Sequence, residues 1–331
     1  MKQKALSVTA GLFALLTLTQ TIQGQEVTLR YGQIPSTIKS VSSLPLNLAV
    51  RQGFFAREGL KLEIIPIDGG AANMVAALDR GAVEITRTAT PYLIQAAVKG
   101  SDAVAIAGET QNPTYTLIVR PDIRSFEDLK GKLIGLSLAV DTISISMRKL
   151  LALHGLKDGD YRVKELVGTP ARSDCLKRGE CDAVPLGQPE DFMAIAQGYR
   201  RLGLSTEAVP SFQFTVSAVR RKWAEQHKNE VVRYIRGLAA AYRFLRQPSN
   251  REEVIKVMVE STGSSREIAS QILALYLDPD RGVFPQEAEL DLKGLARVIE
   301  FMGEAGELKQ PLPSAERFAD LQFLRSAGIR E

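Results

Sequence analysis

The sequence predicts an α/β protein of two lobes, each built on a mostly parallel sheet with flanking helices, and a helical C-terminal part. Three observations carry this prediction. Strand and helix patterns alternate along the chain to about residue 204, the order that forms βαβ units. The length of 331 residues exceeds what one hydrophobic core usually supports. Extended stretches near residues 112–119 and 210–219 predict two crossings between the lobes.

The first series begins with the strand pattern VTLRYG at Val27. A helix pattern follows from Pro45 and continues to Gly59, a residue suited to a left-handed helix end. Apolar and charged residues then alternate over Leu60–Ile65, which predicts a strand. Two more helix and strand pairs follow, with strands at Val83–Thr86 and at AVAIAG. These elements predict one wall of a cleft, made of parallel strands.

The second series runs through the strand patterns KLIGLSL, YRVKELV, CDAVPL and YRRLGL, with helix patterns between them. One of these helices is expected from about Thr142 to His154, with Asp141 as its N-cap. From Lys222 onward the patterns are almost wholly helical. Two crossings make the first lobe discontinuous, so the predicted lobes are residues 25–112 with 217–331 (lobe I) and residues 113–216 (lobe II).

The N-terminal 24 residues differ from the rest of the chain. Lys2 and Lys4 precede an apolar run that is too short for a stable membrane span, and small and polar residues follow it. This order is typical of a secretory signal peptide, here cleaved near Gly24. An N-terminal anchor that is never cleaved is the alternative. The mature protein is expected to be exported to the periplasm.

Charge and motifs exclude several classes of function. The net charge is +4, but the basic residues are scattered among nearly as many acids, so nucleic-acid binding is not expected. The chain has no phosphate-binding loop, no dinucleotide fingerprint and no nucleophile elbow. Its two histidines, His154 and His227, fall at a predicted helix end and in a charged helix face. We therefore expect a binding protein with no cofactor, and not an enzyme.

The two cysteines are Cys175 and Cys181. Gly179 is expected to end a short helix that carries the first, and the second opens the next strand, so a disulfide can close this corner in an exported protein. Two buried thiols are the alternative. Two cysteines and two distant histidines do not make a metal site.

A family resemblance rests on several segments together. The stretch LNLAVRQGFFAREGLKLEIIPIDGGAANMVAALDRGAVEIT resembles the N-terminal pattern of periplasmic solute-binding proteins of the nitrate, sulfonate and taurine branch. IRSFEDLKGKLIGLS and CLKRGECDAVPLGQPE are similar to two later segments of that family. The sequence departs from the pattern at Glu84, where the family has aspartate, and at residues 87–90, where the family usually has small apolar residues.

The resemblance implies the type II periplasmic-binding-protein architecture and a monomer that delivers a small molecule to an ABC permease in the membrane. It also leaves two alternatives. Enzymes of the thiamine-pyrimidine synthase type share this topology, but they need a histidine and a cysteine-rich iron-binding segment. Here no histidine falls in the loops of the first lobe, and the two cysteines fall in a structural corner. A sensory component that signals to a membrane receptor cannot be separated from a transport component by sequence.

Loops at the carboxyl ends of the strands are the expected ligand contacts, because helix N-termini there offer free N–H donors to an anion. The candidates come from four loops, the first crossing and the segment after PLG. They are Ser36, Thr37, Ser43, Gly69, Gly70, Ala71, Arg87, Thr88, Ala89, Thr90, Gln111, Asn112, Thr142, Ser144, Gln188 and Glu190.

The expected ligand is a small organic anion, a sulfonate or a carboxylate, with an uncharged heterocycle as the alternative. Helices from Thr90 and Thr142 are expected to direct their positive ends at the cleft. Arg87 is expected to pair with the acid group, unless strand alternation turns it outward. Its replacement by Ala would then weaken binding by roughly 2 kcal/mol and leave ligand-free stability nearly unchanged. The loops offer hydroxyls and an arginine, with no acidic or aromatic lining.

Overall fold

The computed structural model describes residues 26–209, 211–279 and 282–330. The predicted signal peptide (residues 1–24) and its cleavage near Gly24 lie outside these residues. The strands are β1 (Val27–Gln33), β2 (Leu60–Pro66), β3 (Ile85–Ala89), β4 (Ala103–Thr110), β5 (Thr116–Val119), β6 (Leu133–Leu136), β7 (Arg162–Glu165), β8 (Ala183–Leu186), β9 (Arg200–Leu204) and β10 (Thr215–Arg220).

The helices are α1 (Pro35–Ile38), α2 (Leu44–Arg51), α3 (Phe54–Arg57), α4 (Ala71–Asp79), α5 (Thr90–Val98), α6 (Thr142–Leu153), α7 (Thr169–Lys177), α8 (Glu190–Ala196), α9 (Ser205–Ala208), α10 (Arg221–Gln226), α11 (Lys228–Arg246), α12 (Arg251–Thr262), α13 (Arg266–Tyr276), α14 (Leu292–Glu304) and α15 (Gln322–Ala327). None of the helices among the described residues is both long enough and apolar enough to cross a membrane.

The strands form two mixed sheets, as the α/β prediction requires. The first has the order β2-β1-β3-β10-β4 and the second the order β7-β6-β8-β5-β9. β1 is parallel to β2 and β3, and β6 is parallel to β7 and β8. The predicted lobe boundaries stay a prediction, but β10, which follows the second crossing, shares the first sheet with β1 to β4.

Each sheet contains one antiparallel strand that directly follows a crossing. β5 follows the first crossing and is antiparallel to β8 and β9, and β10 follows the second and is antiparallel to β3 and β4. The sequence marked these stretches as extended crossings. In the structure the second half of each stretch forms a strand, β5 or β10, that has a neighbouring strand on both sides. Each of these strands is apolar enough to be buried on both faces of its sheet.

The helix predicted from Pro45 to Gly59 is divided in two. Gly53 lies between α2 and α3 with φ of 67°. A residue with a Cβ avoids this left-handed conformation, so the glycine ends the first helix, and Phe54 and Phe55 begin the second. The ring of Phe55 stacks on Tyr234 of α11, with ring centroids 5.6 Å apart. This contact joins the C-terminal helices to the first sheet.

Cys175 and Cys181 are joined by a disulfide, with Cα atoms 5.3 Å apart. Gly179 follows α7, the helix that carries Cys175, and ends it in the left-handed region at φ of 69°, as the sequence predicts. Both cysteines belong to a small apolar cluster on one face of the second sheet, with Ile118, Val184 and Leu186. The bridge therefore fastens α7 to the strand that follows it.

Candidate functional site

A cavity of about 630 Å³ lies where the carboxyl ends of parallel strands from both sheets meet. From the first sheet, residues that follow β1 and β2 and the end of β3 line it. From the second sheet, residues that follow β6, β7 and β8 line it. Both crossings contribute as well, through Thr110, Asn112, Thr114 and Tyr115 of the first and through residues 214–215 of the second. This is where α/β sheets place ligands, and the volume is in the usual range for small organic molecules.

The N-termini of α4 and α7, neither of which has a side-chain cap, line the cavity, one from each sheet. α4 begins after Gly70 (φ 84°), and α7 begins after Gly168 (φ 86°). The loops before the two helices approach each other, since a β-carbon on Gly70 would lie 3.8 Å from Cγ1 of Val167. Uncapped N-terminal amide groups attract negative charge. The pair therefore favours an anion between the sheets.

Arg172 lies in the first turn of α7 and lines the same cavity. Its side chain is fully buried, and it donates to the carbonyl oxygens of Pro185 (2.8 Å) and Leu166 (3.1 Å) and to Oγ1 of Thr169 (3.1 Å). It takes part in none of the ion pairs of the described residues. Burial lowers the pKa of Arg172, although the more distant carboxylates of Asp141 and Glu190 oppose this. Arg172 is thus a buried positive charge that forms no direct ion pair within the described part of the chain.

Arg87 also lines the cavity, but its charge is already paired. Nε of Arg87 lies 3.3 Å from Oε2 of Glu109, and both side chains are buried. The other oxygen of Glu109 accepts hydrogen bonds from Tyr31 (2.8 Å) and Ser217 (2.6 Å). Nη1 of Arg87 donates to the carbonyl of Ser42 at 3.1 Å. The guanidinium faces the cavity from within β3, and not from a loop as expected, because β3 extends to Ala89.

The expectation of a lining without aromatic or acidic residues is wrong. Four aromatic rings and three carboxylates line the cavity, each from a different part of the chain. Burial raises the pKa of Tyr115 to about 12, against the opposing charges of Arg172 and Arg87, so both arginines act on this ring. The aromatic residues are Tyr92, Tyr115, Phe214 and Tyr276, and the acids are Asp68, Asp141 and Glu190.

The environment of Glu190 disfavours the charged form of its carboxyl group. It begins α8, and burial raises the pKa of its carboxyl group. Asp141, in contrast, caps α6 as the sequence predicts, by accepting from the amide of Ile143 at 3.1 Å. The N-terminus of α6 is therefore satisfied by its own carboxylate.

The structure brings eleven of the sixteen predicted ligand contacts to the cavity. They come from both sheets, from the first crossing and from the segment after β8. They are Ser36, Thr37, Gly69, Gly70, Ala71, Arg87, Thr88, Ala89, Asn112, Gln188 and Glu190. Whether any of these residues contacts a ligand stays a prediction.

The other five, Ser43, Thr90, Gln111, Thr142 and Ser144, lie outside the lining, since their side chains are engaged by other groups of the protein. The hydroxyls of Ser43, Thr90 and Ser144 donate to the carbonyls of Thr37, Gln213 and Ser137, each at 2.7 or 2.8 Å. Thr142 is buried beside Asp141, and Gln111 donates to Glu289 at 3.2 Å. The position of Thr90 suggests an N-cap in the sequence, but Thr90 is the first residue of α5, and Ala89 holds the N-cap position without a side-chain hydrogen bond.

Direct contacts connect the two walls of the cavity. The hydroxyl of Tyr276, at the end of α13, donates to Oε1 of Gln188 at 3.0 Å. On one side of the cleft, Nζ of Lys149 in α6 lies 2.7 Å from a carboxylate oxygen of Glu304 in α14. The two walls are thus in direct contact through these two pairs of residues.

A family model described as NMT1/THI5 like matches residues 40–250 of this sequence. The chain belongs to the NMT1/THI5-like family. Its curated relative YtlA of Bacillus subtilis, a binding protein by its name, is 29% identical over 111 residues. That match spans 33% of this chain and 33% of the relative, about a third of its length.

Solved structures with this fold include several transport proteins. A ligand-binding component of an ABC-type import system from Staphylococcus aureus is 13% identical, with a TM-score of 0.74 over 92% of this chain and 99% of its own. The nitrate-binding protein NrtA of Synechocystis is 16% identical, with a TM-score of 0.73 over 92% of this chain and 89% of its own. The aliphatic sulphonate binding protein SsuA of Escherichia coli is 20% identical, with a TM-score of 0.69 over 90% of this chain and 92% of its own. These matches confirm the predicted family resemblance and two-lobe fold.

The fold is also that of an enzyme. The desulfurization enzyme DszB is 17% identical, with a TM-score of 0.64 over 91% of this chain and 98% of its own. In the described part of our chain, no histidine or cysteine lines the cavity. His154 stacks on Phe126 and His227 on Trp223, and both cysteines are bridged. Nor do the described residues include a group of three or more side chains suited to a metal ion.

Proposed function

We propose that this chain is the periplasmic solute-binding component of an ABC importer and that it binds an organic anion, a sulfonate or a carboxylate, in the cavity between the sheets. One observation carries the choice of an anion: Arg172 is buried at the cavity and forms no direct ion pair with a described residue. A buried charge that lacks a partner is costly, and a ligand carboxylate or sulfonate would supply the partner. The N-termini of α4 and α7 add partial positive charge on the same cavity.

The cavity size favours an organic anion over an inorganic one. A volume of about 630 Å³ is much larger than a four-atom ion such as nitrate needs. The aromatic rings supply apolar surface for the remainder of the molecule. The binding role rests on the lining, which offers donors and aromatic surface but no histidine or cysteine nucleophile among its residues.

Binding is proposed to proceed by hinge closure, with the two crossings as hinges. Contacts such as Tyr276 with Gln188 and Lys149 with Glu304 are of the kind that forms when two walls close over a ligand. The closed shape would then be recognised by a permease in the membrane.

A thermal-shift screen with sulfonates, carboxylates, nitrate and neutral pyrimidines tests the proposal. We expect organic anions to raise the melting temperature and neutral compounds to leave it unchanged, since binding to the folded state stabilises it. Small-angle scattering with the best anion should show a smaller radius of gyration. Stabilisation by neutral compounds alone would contradict the anion proposal, and a tight binder without compaction would contradict closure.

Gly187 offers a second test, because it follows β8 where the cavity is narrow. A β-carbon on Gly187 would lie 3.3 Å from Cε1 of Tyr115 and 3.6 Å from Oγ1 of Thr169, both lining residues. Gly187→Ala is therefore expected to weaken binding of the best anion roughly ten-fold or more by crowding the site. Calorimetric titration measures this, and the ligand-free melting temperature should change little. An unchanged affinity would mean that the ligand does not occupy the space beside Tyr115.

A further inference from the structure

Two buried side-chain oxygens on the first crossing have no hydrogen-bond partner among the described residues. They are Oδ1 of Asn112 and Oγ1 of Thr114, in side chains that are 6% and 4% exposed. Both residues line the cavity. Buried polar atoms in native proteins are nearly always paired with protein, water or ligand. These two atoms therefore indicate where a molecule in the cavity makes hydrogen bonds.

The chemistry required of that molecule is set by the amide of Asn112. Its Nδ2 donates to the carbonyl oxygen of Gly282 at 3.3 Å. The opposite orientation of the amide would place two acceptor oxygens against each other, so Oδ1 is the atom left for the cavity. An amide oxygen only accepts hydrogen bonds. Its partner must carry an N–H or O–H group.

The crossing holds these oxygens in place from both sides. Thr110, just before Asn112, shares a 2.5 Å hydrogen bond with Thr215 of the second crossing. Just after Thr114, the amide of Tyr115 donates to Oγ of Ser205 at 2.9 Å. The acceptors are thus fixed on the chain that links the lobes, whereas the positive groups lie at Arg172 and at the starts of α4 and α7.

We propose that Asn112 and Thr114 recognise a hydrogen-bond donor on the ligand, so that this protein selects organic anions that carry an N–H or O–H group apart from the acid group. The inference rests on the proposed function, since it assumes an anion in the same cavity. Specificity follows because an anion with a methyl group at that point would fill the space beside Oδ1 of Asn112 without supplying a hydrogen-bond donor.

Matched pairs of anions test the inference, each pair differing by a hydroxyl against a methyl group. The pairs are 4-hydroxybenzenesulfonate with 4-methylbenzenesulfonate, 4-hydroxybenzoate with 4-methylbenzoate, and 2-hydroxyethanesulfonate with propane-1-sulfonate. Calorimetric titration of the full protein is expected to show that, in at least one pair, the hydroxyl compound binds about ten-fold tighter or more.

Variants assign that preference to the two side chains. Asn112→Leu and Thr114→Val should each remove most of the preference and leave the affinity for the methyl compound within about three-fold. Asn250→Leu is the matched control, because Nδ2 of Asn250 also donates to a backbone carbonyl, that of Phe244 at 3.0 Å, away from the cavity. The Asn250→Leu variant should still bind the hydroxyl compound more tightly than the methyl compound, as the wild type does.

The outcomes separate this inference from the function beneath it. Equal affinity within every pair that binds would overturn the donor inference, with water alone satisfying both oxygens, and would leave the anion-binding function standing. A preference that persists in both variants would overturn it too. If none of the six anions binds, the proposed function fails and the donor inference fails with it.

Discussion

An Arg172→Gln variant is expected to bind organic anions about 30- to 150-fold more weakly than the wild type, a loss of roughly 2–3 kcal/mol for a charge-assisted contact. The reason is that Arg172 is buried at the cavity and forms no direct ion pair with a carboxylate of the described residues. Glutamine keeps a donor and much of the volume, but it carries no charge. Calorimetric titration with the best anion from the screen measures the loss.

The control for this variant is Arg246→Gln. Arg246 is also a partly buried arginine whose pKa burial lowers, and it also donates to backbone carbonyls, those of Phe284 and Pro285. It does not line the cavity. Both variants should lower stability through lost hydrogen bonds, but only Arg172→Gln should lose anion affinity. Equal anion affinity in the two variants would remove the main support for an anionic ligand.

The sequence predicted the strands well where their pattern is local. Alternation over Leu60–Ile65 and the apolar run AVAIAG both became strands, and Gly59 and Gly179 end their helices with positive φ. Such features depend on the backbone preference and on the period of a single segment. For the same reason Gly53 was missed as a break, since it lies inside a helical pattern and nothing local distinguishes it from a tolerated glycine.

Arg172 could not be recognised in the same way, because burial is a property of the assembled fold. Its first-turn position had a local signal: Gly168 and Pro170 mark a helix start after β7, as Gly69 and Gly70 do after β2. No pattern in the sequence indicated that the side chain of Arg172 turns inward and donates to the carbonyl oxygen of Pro185 in β8. The aromatic lining was missed likewise, since Tyr92, Tyr115 and Tyr276 meet only through tertiary packing.

Three of the five candidates outside the lining, Ser43, Thr90 and Ser144, share a physical reason for lying there. Hydroxyl groups at strand ends have two possible partners, a ligand or the nearest backbone carbonyl, and sequence does not distinguish them. In Ser43, Thr90 and Ser144 the backbone carbonyl is the partner. The glycines before α4 have no side chain to turn away, and they lie in the lining where their loop position places them.

Replacing Arg87 by Met is expected to cost about 3–5 kcal/mol of folding free energy, because it leaves the Glu109 carboxylate buried and unpaired. This replaces the expectation that loss of Arg87 leaves ligand-free stability nearly unchanged. That expectation assumed an arginine free for the ligand, whereas the structure pairs it with Glu109. Urea unfolding of the ligand-free protein measures the change.

A double-mutant cycle separates the ion pair from the ligand. Glu109→Gln alone leaves the Arg87 charge unpaired and should be destabilising as well, but glutamine keeps an oxygen for Tyr31 and Ser217. Arg87→Met with Glu109→Gln removes both charges together, and we expect it to recover most of the stability lost by either single variant. Additive losses in the cycle would contradict a coupled pair. Because the Arg87–Glu109 pair contributes no net charge, the double variant should bind the anion within about ten-fold of the wild-type affinity. The Arg172→Gln variant, in contrast, should lose more than that.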